Sequence, residues 1–214
     1  MSATEPALPP SRPPAIFMDR DGTLSHEVGY VNHLSRFQLF PWTVEAIRLI
    51  NRSGFLAVVV TNQAGVARGY FPESLIHEVH ASLRSAIESG GARLDGIYVC
   101  PHHPSVGPPP YRQDCDCRKP RPGLLKRAEE DLGIDLAASY VVGDRHGDLE
   151  LAWRAGARAV LVRSGYGRGE LEYHAPSWPR QPDIVAEDLL EAVLKIILDR
   201  GRAAPHPLEE ENRG

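Results

Sequence analysis

Ala15-Ile16-Phe17-Met18-Asp19-Arg20-Asp21-Gly22-Thr23-Leu24 is the stretch on which the fold turns. Four apolar residues make a short buried strand. It ends at two carboxylates set two residues apart, just before a glycine turn. Such a pair can be an Asx-type turn with solvated acids. An EF-hand loop opens in the same way, but here Tyr30 stands at the twelfth position, where a bidentate glutamate is needed.

Outward from this strand the pattern repeats. Residues 43–52 carry Val44, Ile47, Leu49 and Ile50 near helical spacing, with Gly54 after them. Phe55 to Val60 is an apolar, largely β-branched run leading into Thr61-Asn62. Residues 72–89 predict a helix with Leu75, Ile76, Val79, Leu83 and Ile87 on one face. A strand at 97–99 precedes a proline-rich loop, and a helix at 123–132 ends at Gly133. A strand at 140–142 leads to Gly143-Asp144, a helix at 148–155 ends at Gly156, and further strands are expected at 159–162 and 184–185. The last helix is expected at 187–198. Strands apolar on both faces, alternating with helices, predict an α/β fold with a mostly parallel sheet. Ligands of such sheets bind at the carboxyl ends of the strands. Asp19, Asp21, Thr61, Asn62, the Cys100 loop and Asp144 all come just after strands and should converge on one edge.

Composition narrows the class. The chain has 214 residues, 42% hydrophobic and 24% charged, enough to bury a core without disulfides. No run of about 18 apolar residues suggests a membrane span. A net charge of −4 leaves no basic footprint for nucleic acid. Residues 1–14, with five prolines, predict a poorly structured leader, 15–200 one domain, and 201–214 a flexible tail. The N-terminus lacks the charged and apolar regions of a secretory signal, so a cytoplasmic protein is expected.

The acids and the later polar residues together suit phosphoryl transfer. A carboxylate can attack phosphorus, giving an aspartyl-phosphate. Asp19 is the candidate nucleophile and magnesium ligand. Asp21 is the candidate acid for the leaving alkoxide and then base for water. Thr61 offers a hydroxyl and an N–H to phosphate oxygens, and Lys119 a charge for the transferring group. Asp144 completes an oxygen site for Mg²⁺, and Asp148 orients its neighbours.

All three cysteines lie between Cys100 and Cys117. Cys100-Pro101-His102-His103 and Cys115-Asp116-Cys117 give Cys-x-His-x12-Cys-x-Cys, three thiolates and one imidazole for structural Zn²⁺. His103 is the competitor for His102. The loop between 101 and 122 holds seven prolines and little other means of order. Closing it on zinc would fix Arg118 and Lys119 at the site.

Asp19–Thr23, Thr61, Lys119 and Asp144–Asp148 resemble, in this order, the four motifs of the haloacid dehalogenase (HAD) superfamily of phosphohydrolases, over most of residues 15–165. The resemblance implies a Rossmann-like three-layer fold. The spacing leaves no room for a cap domain, so the zinc-stapled site should be open. Within the superfamily, the zinc loop with Cys117-Arg118-Lys119-Pro120 resembles two groups, the heptose bisphosphate 7-phosphatases and the histidinol-phosphate phosphatases. Gly29-Tyr30-Val31 and the segment Thr61 to Gly69 look like the heptose group. That likeness implies Asp19 as nucleophile and Asp21 as acid/base, with Thr61 and Lys119 on the phosphoryl group. It implies substrate contacts from Glu27, Gly29, Tyr30, Asn62, Gln63, Ala64, Arg118 and Arg145. Magnesium is expected on Asp19, the Asp21 backbone carbonyl and Asp144. Arg145 departs from the lysine frequent in the heptose group, and Phe40-Pro41-Trp42 from its usual turn.

A bisphosphate suits the cationic rim of Arg118 and Arg145, whereas the amine of histidinol phosphate would gain more from acids. The expected reaction is removal of the 7-phosphate from D-glycero-D-manno-heptose 1,7-bisphosphate by a monomer. A rival of another class, a zinc-stapled nucleic-acid module, is opposed by the net charge and by Asp19 and Asp21, which repel phosphate without a metal.

Overall fold

The computed structural model describes residues 12–203. Six strands form one sheet: β1 (Ala15–Met18), β2 (Leu56–Asn62), β3 (Gly96–Cys100), β4 (Tyr140–Gly143), β5 (Arg158–Val162) and β6 (Ile184–Ala186). Their order is β3-β2-β1-β4-β5-β6, and every pairing is parallel. The major helices are α1 (Thr43–Arg52), α2 (Glu73–Ser89), α3 (Gly123–Leu132) and α4 (His146–Ala155). A short turn α5 (Gly167–Gly169) and the final helix α6 (Leu189–Ala203) complete the set.

Alternation along the strands builds two cores. Ile16, Met18, Val59, Val142 and Val160 pack with α1, α2 and α6 on one face. Phe17, Val58, Val60, Val141 and Leu161 pack with α3 and α4 on the other. The α/β architecture expected from the apolar runs is therefore present, with a wholly parallel sheet. Between β1 and β2 lie a loop, a 3₁₀ turn at Leu34–Arg36 and α1, and between β2 and β3 only α2 and its connections. Neither segment folds as a cap. The chain order reverses between β1 and β4, and parallel sheets of this kind bind ligands at such a switch point.

Some boundaries differ from the sequence reading. Thr61 and Asn62 belong to β2 because they pair with Val99 and Cys100 of β3. Helix α4 begins at His146 because the Asp148 carboxylate accepts the Arg145 N–H and caps it (3.2 Å). The helical turns at 167–177 have no apolar period, so local pattern did not predict them. Most of the expected leader and tail lie outside the described residues. Of the leader, Pro13 and Pro14 accept hydrogen bonds from Asp135 and Leu56, and α6 runs on to Ala203. Among the described residues no helix is long and apolar enough to cross a membrane.

Candidate active site

Asp19 leaves β1 with its N–H on the Val142 carbonyl (2.9 Å), which anchors it at the switch point. Lys119 arrives from the cysteine loop and is almost fully buried. Its Nζ lies 2.8 Å from Asp19 Oδ1 and 2.7 Å from Asp148 Oδ1, and donates to the Val60 carbonyl (3.1 Å). Burial alone would favour a neutral amine, but Asp148 and Asp19 outweigh it and hold the pKa above the usual lysine range. Asn62 fixes the backbone of Lys119 by reciprocal bonds: Lys119 N–H to Asn62 Oδ1 (3.1 Å) and Asn62 Nδ2 to the Lys119 carbonyl (3.2 Å).

Asp19, Asp144 and Asp148 bring oxygen atoms within 4.8 Å of one another. Burial pushes Asp19 up to about 6, against the pull of Lys119. Burial, then the Asp19 and Asp148 charges, push Asp144 up to about 8, partly offset by the Tyr166 N–H on its Oδ2 (2.8 Å). Three carboxylates against one ammonium leave negative charge that a cation would neutralise. Asp144 Oδ1 is buried and has no hydrogen-bond partner. A Cβ on Gly22 or Gly165 would lie 2.1 Å from Asp144 Oδ2, so both glycines are needed for this close packing. An all-oxygen donor set with an unpartnered buried carboxylate oxygen fits Mg²⁺.

Asp21 is held differently. Arg20, itself buried, donates to both its oxygens (3.0 and 2.6 Å), and Gln63 Nε2 and Ser25 Oγ add bonds of 2.9 and 3.3 Å. Burial pushes its pKa up, but Arg20 and these donors prevail and lower it. Gln63 also donates to Thr61 Oγ1 (2.9 Å).

A cavity of about 590 Å³ opens over the cluster. Of the residues expected there, Asp19, Asp21, Glu27, Gly29, Tyr30, Thr61, Asn62, Ala64, Arg118, Lys119 and Arg145 line it. Gln63 does not. It is buried, with its amide on Asp21 and Thr61. Asp144 lies beneath the wall. Gly147, Asp148, Tyr166 and Glu170 line the cavity without having been expected as substrate contacts. The rule that ligands gather just past the carboxyl ends of the strands applies to β5 as well, and it would have found Tyr166 in Ser164-Gly165-Tyr166-Gly167. A second hollow of about 660 Å³ beside it, walled by His26, Phe40 and Trp42, holds none of the acid cluster. Chemistry, not volume, identifies the site.

The cysteine loop closes as its spacing predicts. Cys100, His102, Cys115 and Cys117 present ligand atoms within 4.8 Å of one another. The sulfur pairs Cys100–Cys115 and Cys115–Cys117 are 3.6 and 3.1 Å apart, and His102 Nδ1 is 3.3 Å from Cys117 Sγ and 3.8 Å from Cys100 Sγ. Tetrahedral zinc with bonds of about 2.3 Å needs edges of about 3.8 Å. The four donors nearly meet this spacing, and none of the thiols is in a disulfide. Burial pushes the Cys117 thiol up to about 11, so thiolate formation must come with metal binding. His103 turns away to Arg68 (2.9 Å), which leaves His102 as the imidazole donor. Arg118 ties the loop to the cavity through Nη1 on the His102 carbonyl (3.2 Å).

Comparison with known proteins agrees with this geometry. The HAD-hydrolase-like family model matches residues 116–192, which carry Lys119, Asp144 and Asp148. The D-glycero-beta-D-manno-heptose-1,7-bisphosphate 7-phosphatase of Escherichia coli (strain K12) is 45% identical over 153 residues, 71% of this chain and 80% of its own. The protein of the same name from Haemophilus ducreyi is 46% identical over 153 residues, 71% of this chain and 84% of its own. The crystal structure of D,D-heptose 1,7-bisphosphate phosphatase from B. bronchiseptica, complexed with magnesium and phosphate, has a TM-score of 0.77 at 30% identity, covering 87% of this chain and 99% of that one. Sequence shared over most of the relatives' length, on the same fold, makes this chain a HAD phosphatase belonging to the family of the D-glycero-beta-D-manno-heptose-1,7-bisphosphate 7-phosphatases.

Proposed function

We propose that the protein removes the 7-phosphate of D-glycero-D-manno-heptose 1,7-bisphosphate, leaving heptose 1-phosphate. One observation carries the reading: a single cavity has the Asp19–Lys119–Asp148 cluster in its floor and two arginines, Arg118 and Arg145, on its wall. A substrate with two phosphates uses both ends of such a cavity, and the relatives' names support the sugar.

In this mechanism an Asp19 carboxylate oxygen attacks phosphorus. The bond from phosphorus to the oxygen on carbon 7 breaks, and Asp21, turned from Arg20 toward that oxygen, gives it a proton. Water then attacks the aspartyl-phosphate as Asp21 takes its proton, the Asp19–phosphorus bond breaks and inorganic phosphate leaves. Arg20 keeps Asp21 ionised in the resting site, so the proton it gives in the first step is one it takes up from solvent as the phosphate binds and the carboxyl turns from Arg20. It regains a proton from the attacking water in the second step. Lys119 and Thr61 meet the charge on the phosphoryl oxygens. Asp19, Asp144 and the Asp21 carbonyl would hold Mg²⁺, with Asp148 close by. The bound ion supplies further charge neutralisation at the phosphoryl group. Zn²⁺ on Cys100, His102, Cys115 and Cys117 would be structural. Free thiols at that site suit a reducing, cytoplasmic setting, and we take the working unit to be a monomer.

A second reading, histidinol-phosphate phosphatase, draws on Glu27 and Glu170, two carboxylates in the same cavity wall that suit an amine. Parallel turnover of the two substrates with Mg²⁺ tests both. Higher kcat/KM on the heptose bisphosphate is expected, and a preference for histidinol phosphate would replace the first reading with the second.

A further inference from the structure

Arg145 is half-exposed, yet it is not loose. Its guanidinium carbon lies 3.7 Å from the centroid of the Tyr166 ring, and its Nη2 is 3.8 Å from Glu27 Oε2. A long cationic side chain at such exposure normally samples many rotamers, and ordering it costs conformational entropy at each binding event. Stacking on an aromatic face restricts it before substrate arrives.

Tyr166 is itself anchored. Its N–H is on Asp144 Oδ2, and it is flanked by two glycines that the packing requires. Gly165 has φ +56°, and a Cβ there would strike Asp144. A Cβ on Gly167 would lie 1.7 Å from the Val162 carbonyl oxygen. The loop after β5 is thereby pressed against the end of the sheet, and the ring rises from it beside the cavity. The Tyr166 backbone aligns a candidate metal ligand, while its ring aligns a cation on the cavity wall.

We propose that Tyr166 is a positioning residue for substrate choice: its ring is the shelf that holds the Arg145 guanidinium where the phosphate that is not transferred binds. The inference rests on the bisphosphate reading above. The ring contributes by making a weakly held arginine a preset one. Its effect should therefore appear in KM for the bisphosphate, and only while Arg145 is present.

The test compares kcat/KM for heptose 1,7-bisphosphate and for p-nitrophenyl phosphate in the full-length Mg²⁺-loaded protein. Tyr166→Leu should lower the preference for the bisphosphate roughly fivefold, the worth of a half-exposed cation–π contact, chiefly through KM. Tyr166→Phe keeps the ring and should keep the preference. Tyr166→Met, bulky but not aromatic, should behave like Tyr166→Leu and stands in for it if that variant folds poorly. In an Arg145→Ala background, Tyr166→Leu should change the preference no further. A preference kept by both non-aromatic variants overturns the inference and leaves the substrate reading intact. So does a loss fully additive with Arg145→Ala, because the ring would then act on the substrate itself. A wild type with no preference for the bisphosphate overturns the substrate reading and this inference with it.

Discussion

Asn62 and Lys119, far apart in the chain, bind each other's ends: the Asn62 side-chain amide both accepts the Lys119 N–H and donates to the Lys119 carbonyl. The pair joins the end of β2 to the end of the cysteine loop. Asn62→Ala removes both bonds while Lys119 keeps its charge. The lost restraint, roughly 1–3 kcal/mol for two partly buried neutral hydrogen bonds, should lower kcat about five- to a hundredfold on any phosphate ester. Steady-state kinetics on two unlike esters check this, and unchanged kcat would mean that the cysteine loop alone holds Lys119.

Asp19→Asn should abolish turnover and leave the fold in place. An amide cannot form the aspartyl-phosphate, so at least ~4 kcal/mol of barrier lowering, or about a thousandfold in rate, should be lost. Phosphate release by the purified, folded variant is the measurement. Activity near that of the wild type would end the covalent mechanism.

Elemental analysis should find about one zinc per chain, as expected of a closed four-ligand site. Cys115→Ser should lose the metal, lower the melting temperature and reduce activity, because Cys117 leads directly to Arg118 and Lys119. A metal-free protein of unchanged stability and full activity would show that the thiols need no ion.

Arg118 and Lys119 should separate by substrate. Lys119 contacts Asp19, the proposed nucleophile, so Lys119→Ala should depress kcat on every ester. Arg118 lines the cavity and is tethered to the His102 carbonyl. Arg118→Ala should cost the bisphosphate about ten- to a hundredfold in kcat/KM, the worth of a charge-assisted pair, and a small generic ester much less. Equal losses for both variants on both substrates would assign Arg118 to the general phosphate cradle.

His80 on α2 gives stability a pH dependence. Burial, then the Arg20 guanidinium 3.5 Å from its Nε2, push its pKa down to about 4; Asp21 opposes this, and His77 and Arg84 add to it. Above pH ~6.5 the ring is neutral both folded and unfolded, and its contribution to stability is complete. As pH falls from ~6.5 toward ~4 the unfolded chain takes the proton first, and stability falls by up to about 3 kcal/mol. In His80→Gln, denaturant titrations at pH 7 and pH 4.5 should show a smaller drop than in the wild type. Equal drops would place the acid sensitivity elsewhere.

The fold and much of the site could be read from the chain alone because each rests on a local pattern. Apolar runs such as Phe55 to Val60 are buried on both faces wherever they lie in a parallel sheet, and a residue just after such a run lies at the sheet's carboxyl edge. The type and spacing of Cys100, His102, Cys115 and Cys117, and the strand-end positions of Asp19 and Asp144, pointed to the two clusters that the structure assembles. The tertiary structure decided what depends on contacts between distant segments. It buried Gln63 with its amide on Asp21 and Thr61, two residues of the cavity wall. It joined Asn62 to Lys119, put Arg20 on Asp21, and laid Arg145 on Tyr166. Side-chain direction is set by the partners that packing brings within hydrogen-bond or stacking distance. That information is absent from any single stretch of sequence and exists only once β1, β2, β4 and β5 lie side by side.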